Sequence, residues 1–377
     1  MKLLFISNIA ASKIGSFSIA SIRAAKELGL EFYIAANFKN SSYEQILKDE
    51  NEYQIKICNI DFERNPLHPK NFKALRQLIE LIRKEKIDYI HCNTPTGGIY
   101  GRLAGRLCKV KKIIYQVHGF HFYDGAPIIN WLIYYPIEKI FAKLTDAIIT
   151  INKEDYKRAK KFQLRHQGKV YYVPGVGLDL SKYVLNPTWK TVKRKELNIP
   201  MNDIMLISVG ELNKNKNHNV VLDALGDIQS SHLHYLICGI GDQEYVLKEQ
   251  ARNLKIENNV HFLGYRSDIP QLLQASDIFI MPSLREGLSR SLMEAMAMGL
   301  PCIVSKIRGN TDLLEDKTGG FWVPAKDSRK IAKSLKILCD DITIRKQMGE
   351  RNRNRIQDFR IEKVQYNLKT IYEKEML

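Results

Sequence analysis

Residues 277–301 read DIFIMPSLREGLSRSLMEAMAMGLP. An apolar run that predicts a strand ends at Pro282, a loop with polar residues follows, and a helical pattern begins near Ser289 and ends at Gly299. Strand, loop and helix in this order form the repeating unit of a parallel sheet covered by helices. The stretch therefore predicts an α/β fold, and its loop follows the carboxyl end of a strand, where such sheets bind ligands.

The same alternation extends in both directions along the chain. Apolar runs predict strands at residues 3–7, 31–35, 87–92, 112–117, 147–151, 169–173, 204–209, 233–238, 260–263, 278–281 and 301–304. Amphipathic runs predict helices at residues 19–28, 72–84, 100–107, 220–225, 245–253, 269–274 and 291–298. The polar stretch from Pro174 to Pro200 is interpreted as an interdomain connection. The predicted fold is two Rossmann-like, doubly wound parallel-sheet domains facing a cleft.

The length of 377 residues suits two domains. The predicted domains are residues 1–182 and 183–357. Residues 358–377 contain an amphipathic run, at 361–374, which predicts a helix that packs back on the first domain.

The charge of the chain is strongly basic, with a formal net charge of +17. Residues 1–180 hold 28 Lys and Arg against 17 Asp and Glu, which leaves the rest of the chain much less basic. Such a surface attracts anionic lipid headgroups, phosphorylated substrates or nucleic acid, and charge alone does not choose among them.

The six cysteines are scattered without a Cys-x-x-Cys pair, which argues against a zinc site or a disulfide framework and favours a reducing compartment. The apolar run at residues 3–6 is too short for a signal peptide. No segment approaches the roughly 20 apolar residues that a membrane span needs. The longest candidate, residues 126–136, is either a helix on a membrane surface or a buried helix that lines a cleft.

The loop and helix at residues 282–299 carry two carboxylates, Glu286 and Glu294. A helix N-terminus favours a diphosphate, and carboxylates accept hydrogen bonds from sugar and ribose hydroxyls. The alternative is an ordinary solvated helix with two surface glutamates.

Taken as a whole, the string resembles the donor-site motif of retaining GT-B glycosyltransferases of family four, in which Glu, seven residues and Glu precede Ala and Gly-x-Pro. The resemblance covers nearly the whole chain. Residues 209–216 resemble the diphosphate-binding segment of that family, residues 238–242 its Gly-x-Gly turn, residues 260–266 its base-side strand and loop, and residues 173–177 the exit from its first domain. The run at residues 117–121 is most similar to bacterial exopolysaccharide and capsule enzymes.

The resemblance implies a donor site in the second domain. Glu286 would contact the transferred sugar, Glu294 the ribose, and Lys216 would neutralise the diphosphate leaving group. The implied donor-binding residues are Gly15, Gly210, Lys214, Lys216, Gly239, Tyr265, Arg266, Glu286, Gly287, Leu288, Ser289 and Glu294, and the implied catalytic residues are His118, Glu286 and Lys216. Two departures stand out: Glu211 occupies a position where arginine is common, and Ser16 replaces a second glycine after Gly15. Lys214 could replace the missing cation.

The resemblance places the acceptor in the first domain. The implied acceptor-side residues are His91, Asn93, Thr94, His118 and His121. For His91 and His118, a structural histidine bonded within the fold is the alternative.

The implied activity is retaining transfer of a hexose or N-acetylhexosamine from a nucleotide-diphosphate sugar to a lipid-linked or growing saccharide. UDP is favoured over GDP, and a polyprenyl-diphosphate-linked acceptor is expected. No cofactor or metal is expected because Asp-x-Asp is absent, and neither nucleic acid nor an obligate protein partner is expected. The basic first domain and residues 131–135 indicate an anionic membrane surface as a partner. The basic face formed by Arg158, Lys160, Lys161 and Arg165 is either an ordinary solvated face or a second contact with that membrane. The expected location is the cytoplasm or the inner face of the plasma membrane.

Three other functions compete with this one. A sugar-nucleotide epimerase uses the same two-domain architecture without an acceptor. A nicotinamide dehydrogenase is disfavoured because Gly239-Ile240-Gly241 lacks the third glycine of the dinucleotide fingerprint. A non-catalytic binding module is suggested by charge alone, since interleaved aromatic and basic residues are absent.

Overall fold

A computed structural model of the protein describes residues 1–10 and 13–377. The chain divides into two compact units, one formed by residues 1–177 and 361–377 and the other by residues 178–360. Within the first unit, Gly177 lies against Ile361, since a Cβ added to Gly177 would be 2.6 Å from the Ile361 Cα. Within the second unit, Leu178 pairs with Arg360 in a β-bridge. The chain therefore enters and leaves the second unit at neighbouring positions.

The first unit is built on a parallel seven-stranded sheet in the order β3-β2-β1-β4-β5-β6-β7. The strands are β1 Lys2–Ile9, β2 Glu31–Asn37, β3 Lys56–Asn59, β4 Tyr89–Asn93, β5 Lys112–Val117, β6 Ala147–Thr150 and β7 Lys169–Tyr172. The helices are α1 Ser16–Glu27, α2 Tyr43–Tyr53, α3 Asn71–Glu85, α4 Pro95–Leu107, α5 Ile128–Ala142 and α6 Lys153–Ala159. The strand order reverses between β1 and β4, which makes the carboxyl ends of these two strands the expected ligand site.

The second unit repeats this design with six parallel strands in the order β10-β9-β8-β11-β12-β13. The strands are β8 Ile204–Val209, β9 Leu233–Cys238, β10 Val260–Gly264, β11 Ile278–Met281, β12 Cys302–Ser305 and β13 Gly320–Val323. The helices are α7 Pro187–Glu196, α8 Asn219–Ile228, α9 Glu244–Asn253, α10 Ile269–Ala275, α11 Arg290–Ala297, α12 Asn310–Leu313, α13 Ser328–Asp340 and α14 Ile342–Ile356. The two doubly wound parallel sheets predicted from the sequence are confirmed.

The last helix, α15 Ile361–Met376, belongs to the first unit. Its apolar face, with Val364, Leu368 and Ile371, joins the core that also holds residues of α1. Lys369 pairs with Glu27 of α1 at 3.0 Å. Apolar burial, with an ion pair at its edge, holds the two helices together.

The polar stretch interpreted as an interdomain connection belongs to the second unit from Leu178 onward and contains helix α7, so this interpretation is wrong for most of its length. The side chain of Asn186 caps the helix and Pro187 occupies its first turn. Arg194 is fully buried, donates to the Asp203 carbonyl at 2.7 Å and pairs with Asp277. The polar composition hid the helix because its buried contact is a paired arginine, not an apolar stripe.

Helix α5 is exposed along an apolar face, so the burial predicted for residues 126–136 in one alternative is wrong, although the helix does line a cavity. Ile128, Ile129, Leu132, Ile133 and Ile140 are each at least 45% exposed. The alternative, a helix on a membrane surface, stays a prediction. Within residues 1–10 and 13–377, no helix is long and apolar enough to cross a bilayer.

Candidate active site

The loop between β11 and α11 carries the glutamates predicted for the donor site. Ser289 caps α11, because its hydroxyl accepts a hydrogen bond from the Leu292 N–H at 3.3 Å. The helix therefore begins where the sequence predicted, and Glu286 and Gly287 lie in the loop that precedes it. Leu288 packs into the core behind the loop.

Glu286 and Lys216 meet in the structure although 70 positions separate them in the chain. The Lys216 Nζ donates to Glu286 Oε1 at 2.7 Å, and both side chains are less than one-fifth exposed. Asn215, which the sequence did not single out, ties their loops together: its carbonyl accepts from Leu284 N at 2.8 Å and its side chain donates to the Arg285 carbonyl at 3.0 Å. The structure thus brings together two of the three predicted catalytic residues.

Two glycines let the ends of β8 and β9 approach each other beside this pair. A Cβ at Gly239 would lie 1.8 Å from the Gly210 carbonyl oxygen, and a Cβ at Gly210 would lie 3.0 Å from Lys216 Cε. Gly210 and Gly239 also line a cavity of about 610 Å³, together with Tyr265 and Arg266. This volume is typical of a small-molecule site.

The charged residues in the lining of this cavity suit a diphosphate poorly. Glu211 lines it. Arg266 is paired with Asp268 and Glu196, each at 2.7 Å, and these hydrogen bonds raise the pKa of its guanidinium. Lys214 lines a different cavity of about 360 Å³. The structure therefore does not place Lys214 at the cavity that Glu211 lines.

Glu294 is fixed by two donors. The Tyr183 hydroxyl and the Arg290 Nε each donate to Glu294 Oε1 at 2.8 Å. Burial and the neighbouring carboxylate raise the pKa of Tyr183, so its hydroxyl remains a donor at neutral pH. Sequence reasoning missed Tyr183, which precedes Glu294 by 111 positions in a polar stretch without a motif.

Arg308 is a second residue that sequence reasoning missed. It is buried, and its Nε donates to the Glu286 carbonyl at 3.2 Å. The next residue, Gly309, has a φ of +79°, and a Cβ there would be 2.4 Å from the Gly287 carbonyl oxygen. A charged residue next to glycine after strand β12 was the signal available in the sequence. Arg308 and Gly309 therefore both contact the backbone of the loop that carries Glu286.

The first unit places His118 beside Asn93 at the ends of β5 and β4. His118 Nε2 lies 3.0 Å from Asn93 Oδ1, and the ring packs on Phe17 with centroids 4.4 Å apart. Burial lowers the pKa of His118 to about 4, so the imidazole is neutral at pH 7. Because a carboxamide oxygen only accepts, the proton sits on Nε2 and Nδ1 carries the lone pair.

Thr94 follows Asn93 with a φ of +63°, an unusual backbone conformation for threonine. Such conformations cost about 1–3 kcal/mol and concentrate at functional sites. Its side chain accepts from Gly97 N and caps α4. Thr94 lines two cavities, one of about 250 Å³ with Gly15 and one of about 450 Å³ with His118 and His121. His121 stacks on Tyr134 with centroids 4.6 Å apart.

His91 lies inside the fold and does not reach the surface of the first unit. Its ring is fully buried, and Nδ1 lies 2.6 Å from the Tyr372 hydroxyl of α15. Burial and the nearby His118 lower the pKa of His91 to about 3. Its burial and its bond to Tyr372 agree with the structural alternative, and its acceptor role stays a prediction.

Two family models match the chain: one described as glycosyl transferase 4-like, over residues 3–152, and one described as glycosyl transferases group 1, over residues 190–355. EpsD of Bacillus subtilis, which carries the name of a glycosyltransferase, is 32% identical over 343 residues, 90% of this chain and 87% of that protein. The chain belongs to the family-four-like, group 1 glycosyltransferases.

Other relatives of the glycosyltransferase act, by name, on lipid-linked sugars. A UDP-Gal:alpha-D-GlcNAc-diphosphoundecaprenol alpha-1,3-galactosyltransferase of Escherichia coli is 32% identical, with 80% of this chain and 79% of that protein covered. Among solved structures, Anabaena HepE in complex with UDP and glucose matches with a TM-score of 0.80 at 20% identity, over 99% of this chain and 100% of that one. That likeness confirms the GT-B fold.

Proposed function

We propose that this glycosyltransferase moves a hexose or N-acetylhexosamine from a nucleotide-diphosphate sugar, with UDP as the favoured carrier, to a polyprenyl-diphosphate-linked or growing saccharide in surface polysaccharide synthesis. The observation that carries the proposal is the 2.7 Å pair of Lys216 and Glu286 at the start of α11. The name of the Escherichia coli relative supports both the UDP donor and the lipid-linked acceptor.

The ion pair has a direct use in the proposed reaction. A donor diphosphate competes with Glu286 for Lys216, so binding pairs the lysine with phosphate and frees the carboxylate to accept from sugar hydroxyls. In the transfer step, the bond from the anomeric carbon to the diphosphate oxygen breaks and the bond to the acceptor oxygen forms. Negative charge grows on the diphosphate, where Lys216 and the N–H groups of α11 stabilise it.

Retention and independence of metal complete the proposal. The acceptor proton passes to a departing phosphate oxygen on the same face of the sugar, which leaves the anomeric configuration unchanged. Among the residues that the structure describes, no group of three His, Cys, Asp or Glu could hold a metal ion. Full transfer activity in EDTA would support this part, and loss of activity that Mg²⁺ restores would contradict it.

The transfer test uses a panel of nucleotide-sugars, each with and without an undecaprenyl-diphosphate-linked monosaccharide. We expect one UDP-sugar to give a glycolipid with the anomeric configuration of the donor. An epimer formed from donor alone would support the competing epimerase, and an inverted product would contradict retention.

A membrane surface is part of the same proposal. The exposed apolar side chains of α5 lie in the more basic part of the chain, so the inner face of an anionic membrane suits them. Lys160 and Lys161 are exposed, whereas Arg158 is paired with Asp124 at 2.6 Å and Glu154 at 2.9 Å. Flotation with anionic vesicles should be strong at low salt and weak at high salt. Flotation that depends on neither lipid charge nor salt would contradict the proposed electrostatic attraction to the membrane.

A further inference from the structure

The cavity of about 450 Å³ in the first unit is more apolar than a sugar site should be. Its walls include Phe17, Pro66, Leu67, Ile99, Ile133 and Ile137. Sugar-binding sites need polar groups matched to hydroxyls, because unpaired polar groups are costly. These walls instead suit an aliphatic ligand.

The charge of the cavity wall is also compensated. Within the described part of the chain, Glu138 is the only carboxylate in the lining. It accepts from Arg102 at 3.0 Å and from the Tyr115 hydroxyl at 3.2 Å, and Arg102 is fully buried. The pair holds α5 against α4 and leaves no free charge to repel an apolar molecule.

The lining of the cavity continues into an apolar surface. Ile133, in the lining, is 45% exposed and continues into the exposed apolar face of α5, where Leu132 is 66% exposed. The helix lies in residues 1–180, the more basic part of the chain, which attracts anionic lipids. An aliphatic tail attached to an anionic head therefore matches the cavity and its surroundings.

We infer that this cavity binds the isoprenoid segment next to the diphosphate of the acceptor lipid. The inference rests on the proposed function, in which the acceptor is a polyprenyl diphosphate carrying a saccharide. The first isoprene unit fills the cavity, and the remaining tail leaves over α5. The glycosyltransferase thereby selects lipid-linked acceptors over water-soluble saccharides of the same sequence.

The test compares the binding of farnesyl diphosphate and methyl diphosphate by calorimetry, with saturating UDP present so that neither headgroup reports the donor site. We expect farnesyl diphosphate to bind at least about tenfold more tightly, since burial of about two methylene groups already gives that ratio. Ile137→Trp, which fills the cavity, should abolish the preference. Ile140→Trp, one turn along α5 and outside the cavity, should keep it. Equal binding of the two diphosphates by the unmodified protein, or equal effects of the two variants, would overturn the inference.

A second pair of variants controls for effects of misfolding on binding. Ile133→Asp puts a charge on the exposed rim of the cavity, and Ile140→Asp puts the same charge on the same helix outside it. Only Ile133→Asp should weaken the binding of farnesyl diphosphate. Equal weakening by the two variants would overturn the inference. The calorimetry measures binding and not transfer. Its result can therefore be interpreted even if the transfer assay contradicts the proposed function.

Discussion

At the scale of the residue, Lys216 should carry most of the electrostatic stabilisation of the leaving group. Lys216→Ala should lower kcat by about 10²–10³, the usual cost of losing one fixed donor at a developing charge. The matched control is Lys214→Ala, two positions away and at a different cavity, which should change kcat less than about threefold. Steady-state transfer assays check both, and a similar loss in the two variants would contradict the assignment.

Asn93 is a positioning residue for His118, because its oxygen holds the ring through Nε2. Asn93→Asp would put a carboxylate 3.0 Å from that nitrogen, which should raise the pKa of His118 from about 4 toward 6 or above. If neutral His118 is needed, the acid limb of kcat/KM should move to higher pH by about two units. Asn93→Ala should lower kcat/KM without that shift. An unchanged pH profile of kcat/KM in Asn93→Asp would show that the protonation state of His118 does not affect the reaction.

Several site residues could be predicted from sequence, and the reason others could not is physical. Glu286, Lys216 and Gly210 lie in short motifs that resemble those of a known family. Tyr183 bonds to Glu294 and Arg308 to Glu286 across more than 20 positions, and no spacing records such contacts. His91 lies near the carboxyl end of a strand, where ligand residues are common, yet its partner Tyr372 lies 281 positions away.

At the scale of the element, the contact of α15 with the first sheet is the clearest case for a stability measurement. Tyr372→Phe would leave the buried His91 Nδ1 without its partner at a cost of about 1–3 kcal/mol. Tyr366→Phe on the same helix removes a hydroxyl from a side chain that is 69% exposed, and it should have no measurable effect. Urea unfolding of the two variants tests this, and equal midpoints would show that the His91 bond contributes nothing.

The strands of both sheets were predictable because parallel strands are buried on both faces and their apolar runs are continuous. Two of the four edge strands were not predicted, whereas β7 and β10 were: β3 has four residues, none of them buried, and β13 has two of its four residues only half-buried. Helix α5 was ambiguous for the opposite reason, since its apolar composition suits burial as well as a membrane surface.

At the scale of the whole molecule, buried histidines should set the response to acid. The folded pKa values are about 3 for His91 and about 4 for His118 and His218, all lowered mainly by burial. The unfolded chain binds protons near pH 6.5 that the folded chain does not. Stability should therefore be full above pH 6.5 and fall as the pH drops toward 4.

The measurement is Tm between pH 7 and pH 5, where we expect a fall of about 10 °C. His218→Gln removes one of these groups and should make the fall shallower. His166→Gln, at an exposed position, should leave the slope as it is. A Tm that rises toward pH 5 would contradict the account.

The second unit begins and ends at neighbouring positions, where Gly177 lies against Ile361 and Leu178 pairs with Arg360. This arrangement has a consequence for the evolution of the gene. The gene segment for residues 178–360 is a single contiguous cassette whose two ends meet in the protein. Recombination can exchange that cassette with one from a related gene and leave both seams closed by the same local pairing. Under the proposed division of donor and acceptor binding between the two units, such an exchange would give new combinations of donor and acceptor while each unit keeps its fold.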